Sequence, residues 1–201
     1  MSEQNKITGV VLAGGLARRM NKQDKGLIIY HNKAMVSYAV DAMSQVADKV
    51  FINANRNISE YKQFGCDVIS DQTDTFDGPL AGVLSAMTHA STEDLIVMPC
   101  DSPLIKKQHL QKLLLALQEN EIDIAVAFDG ERMHPVFLAL KTALQNSLND
   151  YLQAGNRKID TWLKQHRLIT VDFSQNAEVF LNINTLSELE SLESDEEQGN
   201  E

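Results

Sequence analysis

The chain has 201 residues, 43% of them hydrophobic and 23% charged, with a formal net charge of −10 at neutral pH. That length supports a sizeable single core, no apolar run approaches the 18 residues a membrane helix needs, and no charged leader precedes a long apolar stretch. Neither a membrane nor a nucleic acid is expected as a partner, and a monomer is expected.

Strand-like and helical patterns alternate along most of the chain, as in a predominantly parallel α/β sheet. Residues 7–13 (ITGVVLA), 49–54 (KVFINA), 67–70 (DVIS), 94–98 (DLIVM) and 123–128 (DIAVAF) are apolar runs, not alternating ones. Strands covered on both faces read this way. Between them, residues 34–47, 79–90 and 106–118 carry apolar stripes at helical spacing, the last through Leu110, Leu113, Leu114 and Leu117. The spacing around Asp129-Gly130 is too short for a helical crossover, so residues 135–140 are expected to return antiparallel and make the sheet mixed. A helix over 142–153 ending at Gly155, a second over 158–165, and strands near 168–172 and 179–182 come next, with Asn184-Thr185 starting a last helix that runs to about residue 192. The expected architecture is a three-layer, Rossmann-like α/β fold with helices on both faces of the sheet. Of the 28 carboxylates, nine lie beyond Arg167, where no Lys or Arg occurs, which leaves the first 167 residues nearly neutral. One domain is therefore expected over residues 1–190, followed by a solvated, disordered acidic tail over 191–201. Cys66 and Cys100, far apart in apolar surroundings, fit reduced thiols in the cytoplasm better than a lone disulfide.

The residues at the end of each strand carry the chemistry. The first strand ends in Leu12-Ala13-Gly14-Gly15, with Arg18, Arg19, Lys22 and Lys25 shortly after. Paired glycines open bare backbone N–H groups to a ligand, and the cations beyond them suit a polyphosphate. Neither GxxxxGK[ST] nor GxGxxG is present, which argues against a P-loop NTPase and against nicotinamide chemistry. The second, third and fourth strands end near Asn53, Asp71 and Asp101. In open parallel sheets ligands bind outside the carboxyl ends of the strands, although Gly, Asn and Asp also serve ordinary turns. Asn53 and Asp71 are candidates for a nucleobase or ribose edge, and Asp71, as a pure acceptor, would suit the paired donors of guanine. Asp101, set between Pro99 and Pro103, is a candidate magnesium ligand opposite the phosphate loop or a simple cap for the next turn. Gly82, in the first turn of a helix opened by Pro79, either admits a ligand or lets helices pack.

These motifs together resemble the molybdenum cofactor guanylyltransferases, within the larger nucleotidyltransferase group with Rossmann-like sheets. The matching pieces are LAGGLARRM at 12–20, DKG at 24–26, NAN at 53–55, DGPLAG at 77–82, PCDSP at 99–103, HP at 134–135, YLQAGNRK at 151–158 and NINT at 182–185. The resemblance implies transfer of GMP from GTP to the terminal phosphate of Mo-molybdopterin, with Mg2+ as cofactor. It implies that Leu12, Ala13, Gly14, Gly15, Lys25, Asn53, Asp71 and Asp101 hold the nucleotide, that Asp101 also binds the metal, and that Arg19, Lys25 and Asp101 act in catalysis. Gly82, Arg157, Asn182 and Asn184 would face the pterin substrate, and His134 would be structural. One departure is the pair Asn21-Lys22, where the family usually has two glycines; Asn tolerates positive φ, Lys less so. Molybdopterin-loading proteins or molybdoenzyme chaperones are implied as transient contacts. Two other readings stay open: a sugar-phosphate or methylerythritol-type nucleotidyltransferase, and a non-catalytic module that binds GTP or molybdopterin and delivers it.

Overall fold

A computed structural model describes residues 6–14, 24–72 and 78–181. The strands are β1 (Ile7–Leu12), β2 (Ile29–Tyr30), β3 (Lys33–Ala34), β4 (Lys49–Asn53), β5 (Asp67–Ile69), β6 (Asp94–Pro99), β7 (Ile124–Phe128), β8 (Met133–Lys141) and β9 (Leu168–Asp172). The α-helices are α1 (Met35–Met43), α2 (Ile58–Tyr61), α3 (Pro79–His89), α4 (Lys107–Glu119), α5 (Gln145–Gln153) and α6 (Ile159–Leu163). Seven strands form one sheet in the order β5-β4-β1-β6-β8-β7-β9, while β2 and β3 make a separate small hairpin. Only β8 among the seven runs antiparallel to its neighbours β6 and β7. The mixed sheet expected from the short spacing at Asp129-Gly130 is therefore present.

Alternation along each strand feeds two cores. Val11, Ile52, Ile96, Met98, Ala125 and Ala127 face α1 and α4, which contribute Val36, Ala39, Val40 and the Leu110, Leu113, Leu114, Leu117 stripe. Val10, Leu12, Leu95, Val97, Ile124 and Val126 face the opposite layer, where Leu80 and Val83 of α3, Leu148 and Leu152 of α5, and Trp162 of α6 pack. Helices thus cover both faces, which is why the strands read as unbroken apolar runs. Gly155 ends α5 at φ 84, as its position predicted, and its N–H reaches the Leu152 carbonyl at 3.0 Å.

Two expectations differ from the structure and two lie beyond it. The apolar run Val179-Phe180-Leu181 does not form a strand; 3-10 turns over Ser174–Phe180 bury Val179 and Phe180 instead. A short apolar run cannot by itself distinguish the two outcomes. Residues 142–144 of the expected fifth helix are a 3-10 turn leading into α5. The helix expected from Asn184 and the acidic tail over 191–201 lie outside the described residues. Among the described residues, no helix is long and apolar enough to cross a membrane. Cys66 and Cys100 are free thiols, as expected.

Candidate active site

β1 lies between β4 and β6, so the chain crosses over from it in opposite directions, and its C-terminal end is a topological switch point. Register places Leu12 opposite Asn53 on one side and Pro99 on the other, with Asn53 opposite Ile69. The residues just beyond these strand ends therefore emerge at one level. Leu12, Ala13, Gly14, Lys25, Asn53, Asp71 and Asp101 all line one cavity of about 440 Å³. The sequence motifs expected to hold a nucleotide converge wherever the structure describes them.

At one end of the cavity, Asp71 is held from two directions. Asn53 Nδ2 donates to Asp71 Oδ1 at 2.9 Å, and Asn55 Nδ2 donates to Oδ2 at 2.7 Å. Asn55 also accepts the Asp71 backbone N–H through Oδ1 at 2.8 Å, so its amide brackets the residue. Each carboxylate oxygen keeps a further lone pair for a ligand donor. Asn53 is buried, and its amide oxygen presses on α3: a Cβ at Gly82 would stand 2.3 Å from Asn53 Oδ1 and 2.8 Å from Leu12 Cδ2. The close packing is against the strand residues Asn53 and Leu12, not against another helix as the packing alternative had it, and it accounts for the missing side chain. Gly82 itself is buried and lies outside the cavity lining.

At the other end, Lys25 Nζ meets Asp101 Oδ2 at 3.0 Å, with the lysine side chain one-third exposed and the aspartate largely covered. Asp101 Oδ1 is buried without a hydrogen-bond partner among the described residues. Asp101 lines the cavity, and a carboxylate oxygen with unused lone pairs suits a hard cation such as magnesium. Beneath this pair, burial and the Asp101 charge push the Cys100 thiol well above its usual range, so it stays protonated. Burial likewise pushes the Tyr61 hydroxyl up. Neither group is available as a nucleophile or base near neutral pH.

The remaining expected residues are placed differently. Arg157 follows α5 and donates through Nη1 to the carbonyls of Leu152 and Asn156, each at 2.7 Å, outside the cavity lining. His134 is buried, paired with Asp129 at 2.6 Å and stacked on Phe180 at 4.3 Å, in keeping with a structural role. Two backbone N–H donors, from Arg132 and Glu131, hold the Asp129 carboxyl well below the usual carboxylate range, and His134 adds to them. Gly15, Arg19, the Asn21-Lys22 pair, Asn182 and Asn184 lie outside the described residues. Three residues that motif reading did not single out also belong here: Asn55 and Asp24, both in the lining, and Arg56, which pairs with Asp24. Asn55 and Asp24 sit inside the NAN and DKG motifs, which was the available signal.

The family model for the MobA-like NTP transferase domain matches residues 9–169. A molybdenum cofactor guanylyltransferase from Shewanella sp. (strain ANA-3) is 42% identical over 187 residues, covering 93% of this chain and 95% of its own. In fold, the chain resembles molybdopterin-guanine dinucleotide biosynthesis protein A from Archaeoglobus fulgidus, with a TM-score of 0.79 and 19% identity over 95% and 99% of the two chains. It also resembles a 4-diphosphocytidyl-2C-methyl-D-erythritol synthase from Anaerococcus prevotii, with a TM-score of 0.69 and 11% identity over 92% and 95%. The last two likenesses establish the nucleotidyltransferase fold, and the first two the lineage within it. The chain belongs to the molybdenum cofactor guanylyltransferases, nucleotidyltransferases built on the MobA-like NTP transferase domain.

Proposed function

We propose that this chain transfers GMP from GTP to the terminal phosphate of Mo-molybdopterin, giving the guanine dinucleotide cofactor and pyrophosphate. The observation that carries this reading is the division of one cavity between Asp71, oriented by two amides, and the Lys25–Asp101 pair. A carboxylate accepts and does not donate, so an oriented Asp71 complements the adjacent N–H donors on the guanine edge. Cytosine and uracil offer no such pair of donors, and adenine offers one amino group. The names of the curated relatives support the same choice of base.

The residues then have distinct tasks. Leu12, Ala13, Gly14 and Gly15 are assigned to the nucleotide, Gly14 lining the cavity without a side chain to obstruct it, and Asn53 fixes Asp71. Lys25 places a fixed cation at the phosphate end, already oriented by Asp101, and Arg19 is assigned to the same phosphates. Preorganised charge of this kind stabilises the transition state without reorganisation. Asp101, with its buried unpaired oxygen, would hold Mg2+. When bound there, the ion supplies positive charge to phosphate oxygens. The acceptor phosphate is already an anion, so in-line attack on the α-phosphorus needs neither a protein nucleophile nor a general base. Gly82, Arg157, Asn182 and Asn184 are assigned to the pterin side. Residues 1–190 are taken as the catalytic domain and 191–201 as an acidic tail; a cytoplasmic monomer handing its product to transient partners completes the proposal.

Pyrophosphate release measured with GTP, CTP, UTP and ATP in turn, with magnesium and molybdopterin, tests this. Release with GTP alone is expected. Turnover with CTP or UTP and none with GTP would overturn the base assignment, and release from no nucleotide would overturn the transfer itself.

A further inference from the structure

Lys25 owes its place to the residue before it. Asp24 is only 6% exposed, and its carboxylate is held at both oxygens by the loop after β4. Arg56 Nη2 donates to Oδ1, and Asn57 Nδ2 donates to Oδ2 at 2.8 Å. The Asp24 carbonyl accepts the Leu27 N–H at 3.0 Å and so opens the single 3-10 turn Lys25–Leu27. One residue further on, Gly26 is seated so closely that a Cβ would stand 2.8 Å from Tyr61 Oη and 3.2 Å from Cys100 Sγ. The Lys25 backbone is thus pinned on one side by a side-chain clamp and on the other by close packing. The end of β4 and the loop after it send Asn53 and Asn55 to Asp71 and send Arg56 and Asn57 to Asp24.

We propose that Arg56 is a positioning residue for transfer: through Asp24 it fixes the reach of Lys25 so that Nζ stands at Asp101. The inference rests on the phosphate-binding role proposed for Lys25. Arg56 is 40% exposed along its side chain, and the Asp24 side chain only 5%, so the cation bridges solvent to a covered carboxylate. Truncating Arg56 leaves that carboxylate buried with the neutral Asn57 amide as its remaining clamp partner, a costly arrangement. Asp24 relieves it by turning toward water, and the turn that carries Lys25 moves with it. A displacement of about 1 Å at a reacting group lowers turnover by roughly 10²-fold.

The test is a double-mutant cycle in the full chain, reading kcat and the KM for GTP from pyrophosphate release. Arg56→Ala is expected to lower kcat roughly 10- to 100-fold, with KM changing less than about threefold. Added to Lys25→Ala, the same substitution is expected to change kcat less than about threefold, because its effect runs through the lysine. Arg56→Lys, which keeps the charge, is expected to recover most of the loss, and a purely structural role would lower the melting temperature without this coupling. If the two losses multiply, or Arg56→Ala turns over like the parent, the proposal is wrong. If Lys25→Ala itself is fully active, the reading of the phosphate end fails first, and the proposal with it. Should Arg56→Ala not fold, Asn57→Ala replaces it in the cycle with the same expected coupling, and multiplying losses there overturn the proposal equally.

Discussion

Gly82→Ala separates helix propensity from site packing. Propensity alone predicts that an alanine in the interior of α3 stabilises the protein by about 1 kcal/mol. The structure predicts the opposite sign. The new Cβ would stand 2.3 Å from Asn53 Oδ1 and 2.8 Å from both Asn53 Cγ and Leu12 Cδ2, all short of any real contact. The amide has little room to yield, since Asn53 is 3% exposed. Overpacking of this kind costs about 1–3 kcal/mol, which cancels or exceeds the propensity gain. Moving the amide also stretches the 2.9 Å bond from Asn53 Nδ2 to Asp71. Asn55 still holds the other Asp71 oxygen, so the carboxylate loses orientation without collapsing. A hydrogen bond to a charged group is worth about 1.5–3 kcal/mol, so GTP affinity is expected to fall roughly 10- to 100-fold. Calorimetric titration with GTP and magnesium, with a thermal melt of the free protein, reads both effects. A variant that melts higher than the parent and binds GTP within twofold of it would refute the packing argument and the role given to Asn53.

Asp101→Ala is expected to abolish turnover while the fold persists by circular dichroism, since it removes both the partner of Lys25 and the proposed metal ligand; measurable turnover would remove Asp101 from the mechanism. Lys25→Ala should lower kcat about 10²- to 10³-fold, as the loss of one preorganised charge does, and a change under threefold in steady-state assays would make it a surface cation. Asn55→Ala leaves Asp71 with Asn53 alone, so discrimination between GTP and ITP, which lacks the exocyclic amino group, should narrow when their kcat/KM values are compared. His109 is held below its usual value near 6.5 by burial first and then by Lys106, against an opposing pull from Glu178, with Lys112 adding least. A histidine kept neutral in the fold takes up a proton more readily when unfolded, so its share of stability is full above about pH 6.5 and is lost as pH falls below it. Thermal melts between pH 7.5 and 5.5 should therefore fall less steeply in His109→Gln than in the parent.

The strands of the sheet were legible because coverage on both faces makes them unbroken apolar runs, and β9 coincides with the expected 168–172. The hairpin of β2 and β3 and the single turn of α2 were not, since two to four residues are too few to show a period. Val179 and Phe180 read as strand because both are buried and apolar, but burial through a 3-10 turn leaves the same local signal. In the site, Asn53, Asp71 and Asp101 could be placed together because strand ends share one edge of a parallel sheet. The packing of Gly82 against Asn53 and the clamp from Arg56 to Asp24 could not. Each joins residues about thirty positions apart, through side-chain contacts that no local pattern encodes.

The central claim is that GMP leaves GTP for a pterin phosphate at this site. GTP labelled in its α-phosphate, incubated with the protein, magnesium and Mo-molybdopterin, tests it directly by chromatography of the products. The label is expected in the guanine dinucleotide, with unlabelled pyrophosphate released in equal amount and no transfer by Asp101→Ala. Label that remains in GTP, or transfer seen only when labelled CTP takes its place, would contradict the account.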